Sequence, residues 1–149
     1  MRNYLLTSAI ALTAALSSSP ALSRPMTEVD LATLKRVAAP AASPDGRWVV
    51  FQMTETEKDS YKRSTGLWVV DRKAKDAKPV QIADIAGKNE TAPAFAPDGG
   101  LYFLSNASGK DQIWRIDLAA GTAAAQVTDT KADVAGFKIS PDGKRLLAW

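Results

Sequence analysis

The chain contains neither cysteine nor histidine. The first absence excludes disulfides, thiolate metal sites and a cysteine nucleophile. The second removes the usual zinc ligands and every catalytic design that uses an imidazole as general base, the serine–histidine–acid triad included. A G-x-S-x-G nucleophile elbow is missing as well. There is no basic block: 19 basic and 16 acidic residues, a net +3, are scattered along the sequence, so the electrostatic footprint of a nucleic-acid binder is lacking. What is present is a 149-residue chain, 46% apolar and 23% charged, the composition of a globular protein with a real core.

The first 23 residues have the pattern of a secretory leader. Arg2 supplies the charged start, "YLLTSAIALTAAL" from Tyr4 to Leu16 the apolar stretch, and Ala21-Leu22-Ser23 the small-residue cleavage site. That stretch falls short of the roughly 20 residues needed to span a bilayer. The sequence therefore predicts export to the periplasm or the medium, cleavage after Ser23, and no membrane span in the mature chain.

Residues 24–38 read as a linker with a short helix. "TEVDLATLKRV" from Thr27 to Val37 places Val29, Leu31, Leu34 and Val37 at helical spacing. Thr27 with Asp30 predicts a capping box, and Lys35 with Arg36 suits the negative end of the helix dipole. About three turns are not stable alone, so the helix is expected to dock as a plain packing element.

Past Pro40 the period changes to strands and the sequence begins to repeat. "SPDGRWVVF" from Ser43 to Phe51 returns as "APDGGLYFL" from Ala96 to Leu104 and "SPDGKRLLAW" from Ser140 to Trp149. Each Pro-Asp-Gly (Pro44-Asp45-Gly46, Pro97-Asp98-Gly99, Pro141-Asp142-Gly143) encodes one hairpin turn: proline presets φ, aspartate bonds backbone amides just ahead, and glycine takes positive φ. Further strands follow as "GLWVVD" and "PVQIAD" in the first round and "DQIWRIDL" and "AAAQVTD" in the second. A four-strand unit with 53 and then 44 residues from turn to turn is blade length for a β-propeller. The predicted fold is all-β: an incomplete propeller over 39–149, with blade 1 about 39–84, blade 2 about 91–129 and the first half of a third about 134–149. Two and a half blades do not close a ring, so the sequence reads as part of a longer frame.

Asp45, Asp98 and Asp142 occupy the same slot of the same turn and are assigned structural, not catalytic, roles. No catalytic, cofactor-binding or metal-binding residue is identified. Trp48, Trp68 and Trp114 lie in apolar strands and are expected to pack between blades. "TETEKDSYKRST" from Thr54 to Thr65 reads as a charged loop, either a solvated hairpin end or a rim that meets a partner. Asn89-Glu90-Thr91 and Asn106-Ala107-Ser108 match the glycosylation acceptor pattern, which is common by chance and carries no assignment.

The run "MTEVDLATLKRVAAPAASPDGRWVVF", followed by "ETEKDSYKRSTGLWVVD" and "FAPDGGLYFLS", resembles the amino-terminal part of the prolyl oligopeptidase family of serine peptidases. Within that family it resembles the bacterial branch described as acylaminoacyl peptidases or dipeptidyl aminopeptidases. The resemblance runs from Met26 to Trp149. TolB-like and WD40-like propellers share the Pro-Asp-Gly repeats, while the helix, the first turn and Lys62-Arg63 ahead of "LWVVD" narrow it. It implies a propeller lying over an α/β-hydrolase domain of the same parent chain, gating peptide access to that domain's serine. None of the family's catalytic residues has a counterpart here. The alternative is a TolB-like periplasmic propeller that binds proteins, and a propeller leading an amidohydrolase domain fits the helix less well.

Overall fold

The structure, a computed structural model, describes residues 24–83 and 88–149. The leader expected over residues 1–23 and the end of the strand expected at Asp84 lie outside the described residues.

Among the described residues one helix, α1 (Glu28–Thr33), precedes ten strands. Its start follows the sequence: the Thr27 hydroxyl accepts from the Asp30 amide at 3.3 Å and the Asp30 carboxylate accepts from the Thr27 amide at 2.8 Å. Its end does not. The helix stops at Thr33, and Leu34 is extended with ψ 125°. None of its residues is fully buried, and Leu31, Leu34 and Val37 are exposed. Strand pairing is the competitor that ends it. Arg36 and Val37 already belong to β1 (Arg36–Ala42), opposite Thr54 and Met53 of β2 (Trp48–Thr56). A six-residue helix has too few hydrogen bonds to resist that ladder. Lys35 caps nothing and instead pairs with Glu55 of β2 at 2.6 Å.

The strands form two four-stranded antiparallel meanders and a hairpin. The first sheet runs β1-β2-β3-β4, with β3 Arg63–Asp71 and β4 Val80–Ile82. The second runs β5-β6-β7-β8, with β5 Glu90–Phe95, β6 Leu101–Ser105, β7 Gln112–Ile116 and β8 Ala125–Gln126. The hairpin pairs β9 (Phe137–Ile139) with β10 (Leu146–Ala148). The molecule is thus all-β, an incomplete propeller of two blades and the start of a third. The innermost strands β1 and β5 each carry a bulge at an Ala-Pro pair, with Ala39 at φ 47° and Ala92 at φ 52°.

Because side chains alternate across a strand, each sheet has two faces, and the repeat's apolar runs differ by position in the stack. Leu101 and Phe103 of β6 face the first sheet and pack with Val50, Leu67 and Val69, joined by the partly buried Trp48, Ile82, Phe95 and Trp114. Leu104, on the other side of β6, packs with Ile113 and Val134, joined by Tyr102, Phe137 and Leu146. So β6 is covered on both faces, as its apolar run predicts. In the first sheet, Val49, Phe51 and Met53 point away from this core, across the ladder from Val70, Trp68 and Gly66. Trp48 and Trp114 pack between the two described blades, and Trp68 lies on the far face of the first sheet. In β10, Leu147 and the following Trp149 are 64% and 58% exposed.

All three turns close alike. Gly46, Gly99 and Gly143 donate to the carbonyls of Ser43, Ala96 and Ser140 at 2.8–2.9 Å, with φ of 67°, 87° and 69°. Ser43 and Ser140 each donate to the turn aspartate and accept from the amide five residues on, Trp48 and Arg145. All three aspartates accept from the amide two residues on, Arg47, Gly100 and Lys144, and where Ala96 has no hydroxyl to donate, Asp98 accepts from Arg115 at 3.2 Å. A Cβ at Gly99 would meet nothing within 4 Å, so only backbone strain opposes a side chain there. Gly99→Val is expected to cost about 2 kcal/mol or more, a β-branched residue being forced to positive φ. Asp98→Asn keeps an acceptor for Gly100 and loses an exposed ion pair worth under about 1 kcal/mol. Denaturant midpoints compare the two, and equal losses would mean that φ does not govern this turn.

Candidate functional site

The strand directions give the sheets two ends. At one end the Pro-Asp-Gly turns stand side by side. Ser43, Pro44, Asp45 and Trp48 face Pro97, Asp98, Gly99 and Ala119 across a cleft of about 230 Å³, and a Cβ on Gly143 would lie 3.3 Å from the Pro97 ring. The carboxylates here are already engaged. Hydrogen bonds from Ser43 and the Arg47 amide hold Asp45 below the usual carboxylate range, those from Ser140 and the Lys144 amide do the same to Asp142, and Arg47 lowers Asp71. Arg47 grips Asp71 through Nε and Nη2 at 3.2 and 2.9 Å and lies 4.3 Å from the Trp48 ring centroid. Acids held ionised in this way donate no proton near neutral pH, so the turn end braces the blades.

These lowered values give the fold an acid-sensitive part. A carboxylate whose folded pKa is depressed contributes stability that is present above its unfolded value and is lost as pH falls through the folded one. Thermal midpoints are therefore expected to be flat from neutrality to about pH 5 and to fall below about pH 4. Ser43→Ala and Ser140→Ala should shrink that acid-sensitive part. A midpoint that rises on acidification below that range would contradict the assignment.

The opposite end is where the expected loop from Thr54 to Thr65 lies, and the structure shortens it. β2 continues to Thr56 and β3 begins at Arg63, with Thr54 opposite Thr65 and Thr56 opposite Arg63. The paired threonine hydroxyls lie 3.0 Å apart. Only residues 57–62 turn, closed by Glu57 donating its amide to the Lys62 carbonyl at 2.9 Å. The Ser60 hydroxyl donates to the Glu57 carboxylate and is exposed.

Around this tip, Glu57, Lys62, Arg63, Ser64 and Asn89 line a cleft of about 300 Å³. A second cleft, of about 490 Å³, shares Arg63 and Asn89 and continues over Thr54, Thr65, Thr91, Asn106 and Asp111 towards the second sheet. Asn89 ties its floor together, its side-chain oxygen accepting from the Thr65 amide and its own amide donating to Asn106 Oδ1, both at 2.9 Å. The sequence offers Asn89 and Asn106 only as acceptor-pattern asparagines, and the bonds that join Asn89 to Thr65 across the sheets and to Asn106 within the second are invisible without the register. Nothing in the sequence marks Gln112. It is buried and binds the connection to the third sheet with both ends of its amide, Oε1 accepting from the Thr128 hydroxyl and the Thr130 amide, Nε2 donating to the carbonyls of Thr130 and Ala132. Among the described residues no three metal-ligating side chains cluster, and no helix is long and apolar enough to cross a membrane.

No family model matches the sequence. The chain is 32% identical over 116 residues to dipeptidyl-peptidase 5 of Porphyromonas gingivalis, a match covering 77% of this chain and 16% of that protein. Among solved structures it superposes on TolB from Acinetobacter baumannii with a TM-score of 0.53 at 24% identity, covering 74% of this chain and 25% of that one. It superposes on the uncomplexed acylaminoacyl peptidase of Pyrococcus horikoshii with a TM-score of 0.59 at 23% identity, covering 76% and 17%. The class is therefore a TolB-like β-propeller segment. It shares this fold with the acylaminoacyl peptidase structure, and it spans about a sixth of the length of the curated relative it matches.

Proposed function

We propose that this chain is the non-catalytic propeller of an exported serine peptidase, gating the approach of peptides to a hydrolase domain of the same parent protein. The observation that carries this reading is the 32% identity to dipeptidyl-peptidase 5. Two features support it. The far face of the first sheet, with Val49, Phe51, Met53, Trp68 and Val70, suits a further blade packed against it as the blades pack on β6. The chain itself offers no acyl-transfer machinery, having no imidazole and no elbow, and its exposed Ser60 is bonded to Glu57. Export rests on the leader pattern of residues 1–23.

The test compares the 149-residue chain with the full-length protein that carries it. The full-length protein, recovered from the exported fraction with Arg24 as its first residue, is expected to release product from a chromogenic dipeptidyl substrate and to be silenced by a serine-directed fluorophosphonate. The 149-residue chain alone should release none. Turnover by that chain would overturn the non-catalytic assignment. A full-length protein with no fluorophosphonate-reactive serine would favour the TolB-like protein-binding alternative.

A further inference from the structure

We propose that the cleft at the β2–β3 tip is a subsite for a carboxylate group of a bound peptide, with Arg63 as its principal ligand; this assignment rests on the peptide-handling reading above.

The argument starts from charge. Among the described residues, Arg24, Lys35, Arg47 and Arg115 each have a carboxylate partner within 4 Å, and Arg72 donates to the Gly46 carbonyl. Arg63 and Lys62 have no such partner, yet both line the same cleft. The other groups there are mainly donors. Since Asn89 Oδ1 is taken by the Thr65 amide, its NH₂ is left to donate. The Ser64 hydroxyl is also in the lining, and Glu57, which accepts from the Ser60 hydroxyl through one carboxylate oxygen, sets one negative charge there against the two positive ones.

The ladder sets a second guanidinium on the same sheet face, outside the linings of both clefts. Arg36 stands opposite Thr54, Thr54 opposite Thr65, and Thr56 opposite Arg63. Residues opposed or two apart in a ladder share a face, so Arg36 and Arg63 lie on the face turned towards the second sheet, bracketing the threonine pair. The Thr56 hydroxyl, directly across from Arg63, is buried without a hydrogen-bond partner. Such a group is costly to leave unused.

A planar guanidinium with an ammonium and an amide donor beside it matches a carboxylate, which a guanidinium binds through two parallel hydrogen bonds. Asp111, on the second-sheet side of the adjoining cleft, orients the occupant by repelling the same charge. The carboxylate belongs at Arg63 and the rest of the peptide extends over Thr65, Asn89 and Thr91. A peptide offers this group as its carboxy terminus or as an acidic side chain.

The experiment measures binding to the full-length protein by calorimetry, with a tetra-alanine peptide, its carboxy-terminal amide, the amide carrying one glutamate, and inorganic phosphate. At least one of the two acids should bind about tenfold or more tightly than the plain amide, and which one does identifies the source. Arg63→Gln should abolish that preference and Arg63→Lys keep part of it, with melting temperatures unchanged because Arg63 is exposed. Equal binding of acid and amide, a preference that survives Arg63→Gln, or phosphate binding as tightly as either acid would overturn the subsite. Since the readout is binding, absence of turnover by the wild-type protein counts against the peptidase reading alone, and equal binding of acid and amide counts against Arg63 alone.

Discussion

Phe103→Ala is expected to lower the stability of the full-length protein by about 3–5 kcal/mol, the range for emptying a buried aromatic site. Phe103 is 1% exposed and stands at the centre of the packing between the first two sheets, touched from both: Val50, Leu67 and Val69 come from one and Leu101 from its own strand. Its ladder partner Trp114 lies on the same face, so truncation leaves a void that strand backbones, fixed by hydrogen bonds on either side, do not collapse to fill. Val80→Ala provides the contrast. Val80 sits in a strand of the same sheet stack but is 60% exposed, and its loss should cost about 0.5 kcal/mol or less. Urea midpoints of the two variants decide the matter, and similar losses would mean that the blades are not held by this core.

The difference between these two valine- and phenylalanine-bearing strands shows which parts of the fold were readable. Turns were, because Pro44-Asp45-Gly46 and its two copies carry their whole geometry in adjacent residues, down to the glycine φ. Strand order was too, since the repeat states it twice. Features that depend on pairing at a distance were not. Helix α1 ends early because Arg36 and Val37 are claimed by Thr54 and Met53, residues that no local pattern links to them. The polar run from Thr54 to Thr65 reads as loop on composition, yet its ends continue the ladder because hydroxyls pair as readily across two strands as with water. Trp68 points to the far face because its neighbours Leu67 and Val69 point inward, a parity that is fixed by register alone. The candidate site shares this limit. Lys62-Arg63 was visible as a feature of the resemblance, but its neighbours Asn89, Thr91 and Asp111 come from the second sheet and the segments that enter its strands, and reach it only once the sheets are stacked.

Gln112→Leu is expected to be about as damaging as the core truncation, for a different reason. Leucine fits the volume and the apolar surroundings of a residue that is 1% exposed, so a site that needed only filling would accept it. Gln112, however, is the hydrogen-bond partner of a whole connecting segment. Its oxygen receives the Thr130 amide at 3.0 Å and the Thr128 hydroxyl at 2.8 Å, and its nitrogen reaches the Thr130 and Ala132 carbonyls at 3.3 and 3.2 Å. With leucine in place those groups face an apolar side chain, at about 1–3 kcal/mol for each one that stays buried without a partner. The segment escapes that cost by opening to water, and the opening should be local. Residues 128–132 join the second sheet to Val134, which is part of the packing against the β9–β10 hairpin. Gln112→Leu should therefore expose the amide of Thr130 to hydrogen exchange and loosen the third sheet, while the amides of β2 and β3 stay protected. Gln112→Glu separates shape from chemistry: it keeps the acceptor for Thr128 and Thr130 but loses the three bonds donated by Nε2 and turns a buried carboxylate oxygen onto the Thr130 and Ala132 carbonyls, so at neutral pH it should cost at least as much as Gln112→Leu. Wild-type protection at Thr130 in the leucine variant would show that the connection is held by its own backbone and that Gln112 only fills space.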